Sequence, residues 1–204
     1  MNLSALLQRR ADIWRGADHF PVGQSGVPTG FDLLDQQLAG GWPQGGMTEI
    51  LSDEQTGLEG LGLVVPSLAS LSRQARWIVL VAPPYIPYAP GLAARGVDLS
   101  RLLLLHPRGW QEQLWALEQT LRSGVCSAVL GWPGRVNTAV LRRLQLAAEA
   151  GRSGGFLFRS AQVAEASSPA ALRLRVRSAG GGMEVEILKR RGGWPVAGLR
   201  ISPN

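Results

Sequence analysis

Short apolar segments that alternate with helical patterns constrain the fold of this chain more than any other feature of its sequence. Five such segments are four to six residues long and mostly continuous in apolarity, which is typical of strands that are buried on both faces. They cover residues 47–51, 77–82, 102–105, 127–131 and 156–159. We therefore expect a sheet that is covered on both sides.

The stretches between these segments have the apolar spacing of helices. Strand, helix and strand repeated at this pitch predict right-handed crossovers and a mostly parallel sheet flanked by helices. Pro66 is expected to kink or delay the first helix. A shorter helix is predicted upstream at 31–38, with Thr29 as its N-cap. The four predicted crossover helices cover residues 61–73, 88–95, 110–122 and 136–150.

The pattern changes towards both ends of the chain. Near the C-terminus, LRLRVRS and MEVEILKR alternate apolar with charged residues on either side of AGGG, which predicts an antiparallel hairpin with one face in solvent. At the other end, Leu6, Leu7 and Trp14 fall on one face of a short amphipathic helix. We expect this helix and a linker at 1–20, an α/β core at 21–164, and a hairpin extension of the same domain at 165–204.

Composition narrows the class of protein. A chain of 204 residues that is 45% hydrophobic can bury a full core. Its net charge of +6 is compatible with a polyanionic partner such as DNA, and equally with a basic surface that binds nothing. The single cysteine, Cys126, suits a reducing compartment and is expected in the core. Without a secretory signal pattern or an apolar run near 18 residues, we expect a soluble, cytoplasmic protein with no membrane partner.

The stretch EILSDEQTGLEGL lies where a phosphate-binding loop would follow the first strand. Such a loop needs G-x-x-x-x-G-K-[ST], because its Lys neutralises the phosphates and its hydroxyl holds Mg²⁺. In this chain the three key positions are Ser52, Leu58 and Glu59, and only Gly57 fits. The loop is therefore predicted to be degenerate, and the simpler interpretation is that Gly57 and Gly60 make a tight turn into a helix.

Three stretches resemble the RecA recombinase family: VPTGFDLLDQQLAGGWPQGGMTEIL, GVDLSRLLLLHP and EQTLRSGVCSAVLGW. The resemblance covers residues 27–159 and implies a RecA-like core of the P-loop type. Where the family carries a metal-shell Asp and a water-activating Glu, this chain has Trp132 and Pro84. Together with the loss of the loop Lys and hydroxyl, these residues predict a degenerate nucleotide site, no cofactor and no enzymatic activity.

A closer resemblance is to the SulA family of SOS-induced cell-division inhibitors, through LVVPSLASLSRQARW, LRSGVCSAVLGWPG and GGFLFR. With the upstream VPTGFDLLD and GGWPQGGMTEIL and the downstream ALRLRVRS and ILKRRGG included, the whole chain most resembles the ImuA family, which is related to RecA and SulA. That resemblance implies a non-catalytic accessory protein of translesion DNA synthesis. Its implied partners are an ImuB-like inactive Y-family polymerase homologue and an error-prone polymerase. The alternative is a SulA-type inhibitor that binds FtsZ, and a DNA-dependent ATPase is a third interpretation.

Three groups of residues are candidates for contacts with DNA or a protein partner. The first, in ILKRRGGWP, could attract phosphates and stack on a base, or could be a solvated hairpin face. The second lies between prolines in APPYIPYAP and could meet a partner or pack over the nucleotide pocket. The third is on the N-terminal helix and could support self-association or contact with RecA. They are Lys189, Arg190, Arg191 and Trp194, then Tyr85 and Tyr88, then Leu6, Leu7 and Trp14.

Catalytic and metal-binding residues are not predicted. His19 and His106 have no Cys or acidic residue at ligand spacing. No G-x-S-x-G motif occurs in the sequence. The candidate sites are therefore surfaces rather than reaction centres.

Overall fold

The computed structural model describes residues 26–53 and 58–202 of the chain, and the side chain of Leu58 is not described. Eight strands form one sheet in the order β3-β2-β4-β5-β1-β6-β7-β8. The strands are β1 (Gly46–Ser52), β2 (Trp77–Val81), β3 (Leu102–Leu105), β4 (Cys126–Gly131), β5 (Gly154–Ser160), β6 (Leu172–Ala179), β7 (Gly182–Arg190) and β8 (Val196–Ile201).

The pairing of the strands agrees with the predicted architecture in its main lines. The first six strands in this order run parallel to one another, namely β3, β2, β4, β5, β1 and β6. Strands β6 and β7 form the predicted antiparallel hairpin. The fold is thus mixed α/β with a mostly parallel sheet. The RecA-like nature of its core rests on the sequence resemblance alone.

Strand β8 was not predicted from the sequence. It pairs antiparallel with β7, with Val185 opposite Leu199 and Met183 opposite Ile201. Only Leu199 and Ile201 are buried along it, and Gly198 has a φ of 75°. Two apolar anchors and an interrupting glycine give too weak an alternation to identify a strand from sequence.

Helices cover both faces of the sheet, as continuous apolarity in the strands requires. One face carries α1, α2 and α3, whose side chains pack in one core cluster with Ile50 and Phe158. The other carries α4 and α5, which pack with Met47 and Leu157. The helices are α1 (Asp32–Gln37), α2 (Leu58–Ser72), α3 (Ala89–Ala94), α4 (Trp110–Arg122) and α5 (Thr138–Gly151).

Two predictions about helix geometry are corrected. Pro66 does not delay α2, which begins before it at Leu58 and continues to Ser72. Thr29 is not the N-cap of α1, since that position is held by Phe31 and lacks a side-chain cap. Instead the Thr29 hydroxyl accepts a hydrogen bond from the Phe31 amide at 3.1 Å, and the Asp35 carboxylate accepts one from the Thr29 amide at 2.8 Å.

Candidate protein-interaction surface

The positions of the former phosphate loop lie at the junction of β1 and α2. Ser52 ends β1 and is buried, and Glu59 is in the first turn of α2. Gly57 lies outside the described residues. Gly60 is within α2 rather than in a turn, and its buried position faces Ile50 of β1. A glycine is required there because the helix and the strand approach closely.

Two carboxylates at this junction are bound to the hairpin. Asp53 pairs with Arg175 at 3.1 Å and with Arg177 at 3.4 Å, and the Arg175 hydrogen bond is the main reason that the pKa of the Asp53 carboxyl is lowered. The Glu59 carboxylate accepts hydrogen bonds from the amide and hydroxyl of Ser178. The junction therefore presents negative groups that β6 already engages.

Of the two other positions compared with RecA, Trp132 packs against the core and Pro84 lies at the surface. Trp132 follows β4 and stacks on Phe158, with ring centroids 4.6 Å apart and planes 14° apart. Its carbonyl accepts a hydrogen bond from the side-chain Nε2 of Gln113 at 2.8 Å. Pro84 is exposed in the loop after β2. Trp132 thus has a structural role in the core.

Exposed apolar side chains follow the two neighbouring strands β2 and β3. Ala82 directly follows β2 and has a φ of 49°, which is unfavourable for a residue with a Cβ. The loop that follows exposes large side chains, and Ile86 is 84% accessible. A second exposed group starts α4, directly after β3. We call these residues the corner surface: Tyr85, Ile86, Tyr88, Trp110 and Trp115.

The topology places both groups at the same edge of the sheet. Strands β2 and β3 are neighbours and parallel, so the loops at their carboxyl ends leave the same edge of the sheet. The Ala82 amide still donates to the Leu105 carbonyl at 2.9 Å, which holds the two exits side by side. Aromatic and large aliphatic side chains exposed in one area are typical of protein-binding surfaces. Tyr85 and Tyr88 are therefore placed where a partner can reach them.

The predicted basic group near the C-terminus lies at the opposite edge of the sheet. Lys189 donates to the Ser168 carbonyl at 2.6 Å, and burial is the main reason that the pKa of its ammonium is lowered. Arg190 donates to the Gln37 carbonyl, and Arg191 pairs with Glu149 at 3.0 Å. Trp194 follows in the turn before β8 and is exposed. These cations are thus partly engaged within the chain.

The hairpin face that was predicted to lie in solvent is buried where β6 begins. Arg173 is 6% accessible in its side chain and pairs with the fully buried Glu49, which also pairs with Arg159 of β5. This triad of charges was not predicted from the sequence. The available signals were a lone carboxylate inside MTEIL and a lone arginine inside GGFLFRS.

The predicted N-terminal helix lies outside the described residues. This part of the chain includes Leu6, Leu7, Trp14 and His19. Between residues 26 and 202, apart from the gap at 54–57, no cluster of three potential metal ligands occurs. Over the same residues, every helix is too short or too polar to cross a bilayer.

The central part of the chain is similar to known proteins. The family model described as cell division inhibitor SulA matches residues 45–155. A cell division inhibitor SulA of Edwardsiella piscicida is 37% identical over 53% of this chain and 66% of its own length. One of Yersinia pestis is 28% identical over 57% of this chain and 69% of its own. The crystal structure of SulA from Pseudomonas aeruginosa is 29% identical and covers 55% of this chain and 97% of that chain, with a TM-score of 0.47.

These matches correct the main functional prediction. A role in translesion synthesis was inferred from the resemblance of the whole chain to ImuA, but the matched proteins are division inhibitors, which favours the alternative prediction. Three of the segments that led to the ImuA resemblance, VPTGFDLLD, ALRLRVRS and ILKRRGG, lie outside the family match, and GGWPQGGMTEIL overlaps only its start. Because that match spans more than half of its residues, the chain belongs to the SulA family.

Proposed function

We propose that this protein inhibits cell division by binding FtsZ, and that the corner surface is the part that makes the contact. The observation that carries the proposal is that all five residues of the corner surface lie inside the family match at 45–155. The matched relatives are named cell division inhibitors, and FtsZ is the target that the resemblance to SulA implies. By the same family resemblance, we propose that the protein acts in the cytoplasm during the SOS response.

The contact would have the chemistry of a protein interface. Ile86 and the four aromatic residues supply apolar area, while the tyrosine hydroxyls and the indole N–H groups can hydrogen-bond at its margin. Desolvating such side chains is what gives an interface most of its binding energy. The prolines at 83, 84 and 87 limit the freedom of the unbound loop, which lowers the entropy lost on binding.

The proposed mechanism needs no nucleotide chemistry. By the resemblance to RecA, the Lys and hydroxyl positions of the phosphate loop are Leu58 and Glu59 in this chain. A loop without these groups lacks the charge that neutralises phosphates and the ligand that holds Mg²⁺. The protein would therefore act by occupying a surface of its partner.

The narrower resemblance to ImuA and its implied partners stay predictions.

The test is GTP-dependent assembly of purified FtsZ from the same organism, followed by light scattering and pelleting. We expect this protein to suppress assembly in proportion to its molar ratio to FtsZ. Assembly that is unchanged at a molar excess would contradict the proposal. A parallel ATP turnover assay should show no hydrolysis above background, with and without DNA.

A further inference from the structure

Arginines line the edge of the sheet at which the parallel strands begin. This edge is opposite the corner surface, which lies where β2 and β3 end. Arg76 and Arg152 meet there at a small recess that Gln44 and Gln74 also line. We call the following residues the basic edge, in their order across the sheet from β3 to β7: Arg101, Arg73, Arg76, Arg152, Arg190 and Arg191.

Part of this positive charge stabilises the C-terminal ends of helices. Helices α2, α4 and α5 end at this edge, and each helix C-terminus carries about half a negative charge. Arg76 donates to two carbonyls at the end of α5, those of Gly151 at 2.9 Å and Arg152 at 3.1 Å. The carboxylates of Asp98 and Glu149 lie beside the basic edge. Arg73, Arg152 and Arg191 nonetheless remain exposed at this edge.

Exposed indole rings lie at both ends of the basic edge. At the β3 end, the Arg101 guanidinium lies 5.9 Å from the centroid of the Trp77 ring. At the β7 end, Trp194 is 79% accessible in the turn that follows Arg191. Six strand intervals separate β3 from β7, which corresponds to about 29 Å at a spacing of about 4.8 Å. Cations thus run along the edge between two aromatic rings.

We propose that the basic edge binds single-stranded nucleic acid. Guanidinium groups match the geometry of phosphate oxygens and make paired hydrogen bonds to them. An indole as exposed as that of Trp194 can stack on a base only if the base is unpaired, so the aromatic component favours a single strand over a duplex. Because phosphates and ring faces are common to all nucleotides, little sequence preference is expected.

This inference is independent of the proposed division inhibition, since the two surfaces lie at opposite edges of the sheet. Trp194 and Arg191 also lie outside the family match at 45–155. Variants of one edge should therefore leave the activity of the other unchanged.

The experiment measures fluorescence anisotropy of a fluorescein-labelled oligothymidylate of about 20 nucleotides with the full chain. The double variant Arg152→Asn, Arg191→Gln removes two exposed cations of the basic edge, and asparagine suits the left-handed backbone of Arg152, whose φ is 49°. The matched control, Arg108→Gln with Arg135→Gln, removes the same charge from exposed loops at the opposite edge. Circular dichroism checks that every variant keeps its fold.

We expect the double variant to weaken binding about tenfold or more near 50 mM salt, and to reduce the slope of log affinity against log salt by about 1.4. Trp194→Ala should weaken binding about tenfold through loss of stacking. The control variant should bind within about twofold of the wild type.

Three results would overturn the proposal: no binding of oligothymidylate, equal losses in the double variant and its control, or binding that is unaffected by Trp194→Ala. Binding of a duplex or of heparin as tight as that of oligothymidylate would also overturn it, because general attraction of polyanions would then explain the data.

Discussion

The Nε atom of Arg173 lies 2.8 Å from the Oε2 atom of Glu49, and both side chains are almost completely buried. The two atoms form an ion pair rather than a well-aligned hydrogen bond. The other Glu49 oxygen pairs with Arg159. Arg173 also donates to the carbonyls of residues 163, 164 and 166. One carboxylate thereby joins β5, β1 and β6 and holds the loop before β6 in place.

Removing this carboxylate should be strongly destabilising, because two buried guanidinium groups would lose their counter-charge. We expect Glu49→Gln to lower the free energy of unfolding by about 3–5 kcal/mol, measured by urea denaturation. The control Glu165→Gln, at an exposed position, should change it by less than about 0.5 kcal/mol. Similar losses in both variants would show that the triad contributes nothing special.

The triad also shows what sequence patterns can and cannot predict. Strands β1, β2, β4 and β5 were predicted correctly because burial on both faces gives a strand a continuous run of apolar residues. The edge strand β3 has the same apolar run, although Leu103 is exposed. The same reasoning failed for Arg173, since alternation in LRLRVRS predicts a solvent face, whereas the loop before β6 and Glu49 of the distant strand β1 enclose this side chain. Likewise, the exposure of Tyr85 follows from local proline spacing, whereas the partners of Lys189 and Arg190 come from residues 21 to 153 positions away. Local geometry is encoded locally, and long-range contacts are not.

Two glycines of α2 should respond in opposite ways to the same substitution. A Cβ at Gly60 would lie 2.4 Å from Cγ2 of Ile50 and 3.2 Å from Cδ1 of Phe158, whereas at Gly62 its nearest contact is Sδ of Met183 at 4.0 Å. We expect Gly60→Ala to cost about 1–3 kcal/mol through overpacking. Gly62→Ala should stabilise the helix by up to about 1 kcal/mol. Thermal unfolding of both variants tests this, and equal shifts in Tm would refute the close approach of α2 to β1.

The carboxyl of Asp53 provides a test of the contact between the β1–α2 junction and the hairpin. Its pKa is lowered chiefly by the hydrogen bond from Arg175. A lowered folded-state pKa stabilises the fold above the ordinary carboxyl range, and this contribution is lost as pH falls through the folded value. We expect Arg175→Gln to raise the Asp53 pKa, measured by NMR titration of its carboxyl carbon. Arg135→Gln, at the exposed loop after β4, should leave it unchanged, and an equal rise would argue against the contact.

The thiol of Cys126 should be unreactive in the folded protein. Burial is the main cause that raises its pKa, so little thiolate forms near neutral pH. We expect it to react with a disulfide reagent at least about tenfold more slowly than the thiol of the variant Val125→Cys, Cys126→Ala, whose new cysteine replaces an exposed residue. Because the folded pKa is raised, the thiol contributes stability that is lost as pH rises above its unfolded value. Equal reaction rates would mean that β4 opens readily at this end.

The corner surface makes the sharpest prediction about function. Ile86 is 84% accessible, so Ile86→Glu removes an apolar contact and places a charge in the interface without disturbing the core. We expect the concentration needed to suppress FtsZ assembly by half to rise at least about thirtyfold, the loss typical of an interface centre. Leu146→Glu, which introduces the same charge at an exposed position of α5, should change it by less than about twofold. If Leu146→Glu impairs inhibition and Ile86→Glu does not, the contact lies on the α4–α5 face of the sheet, and the corner surface has another role.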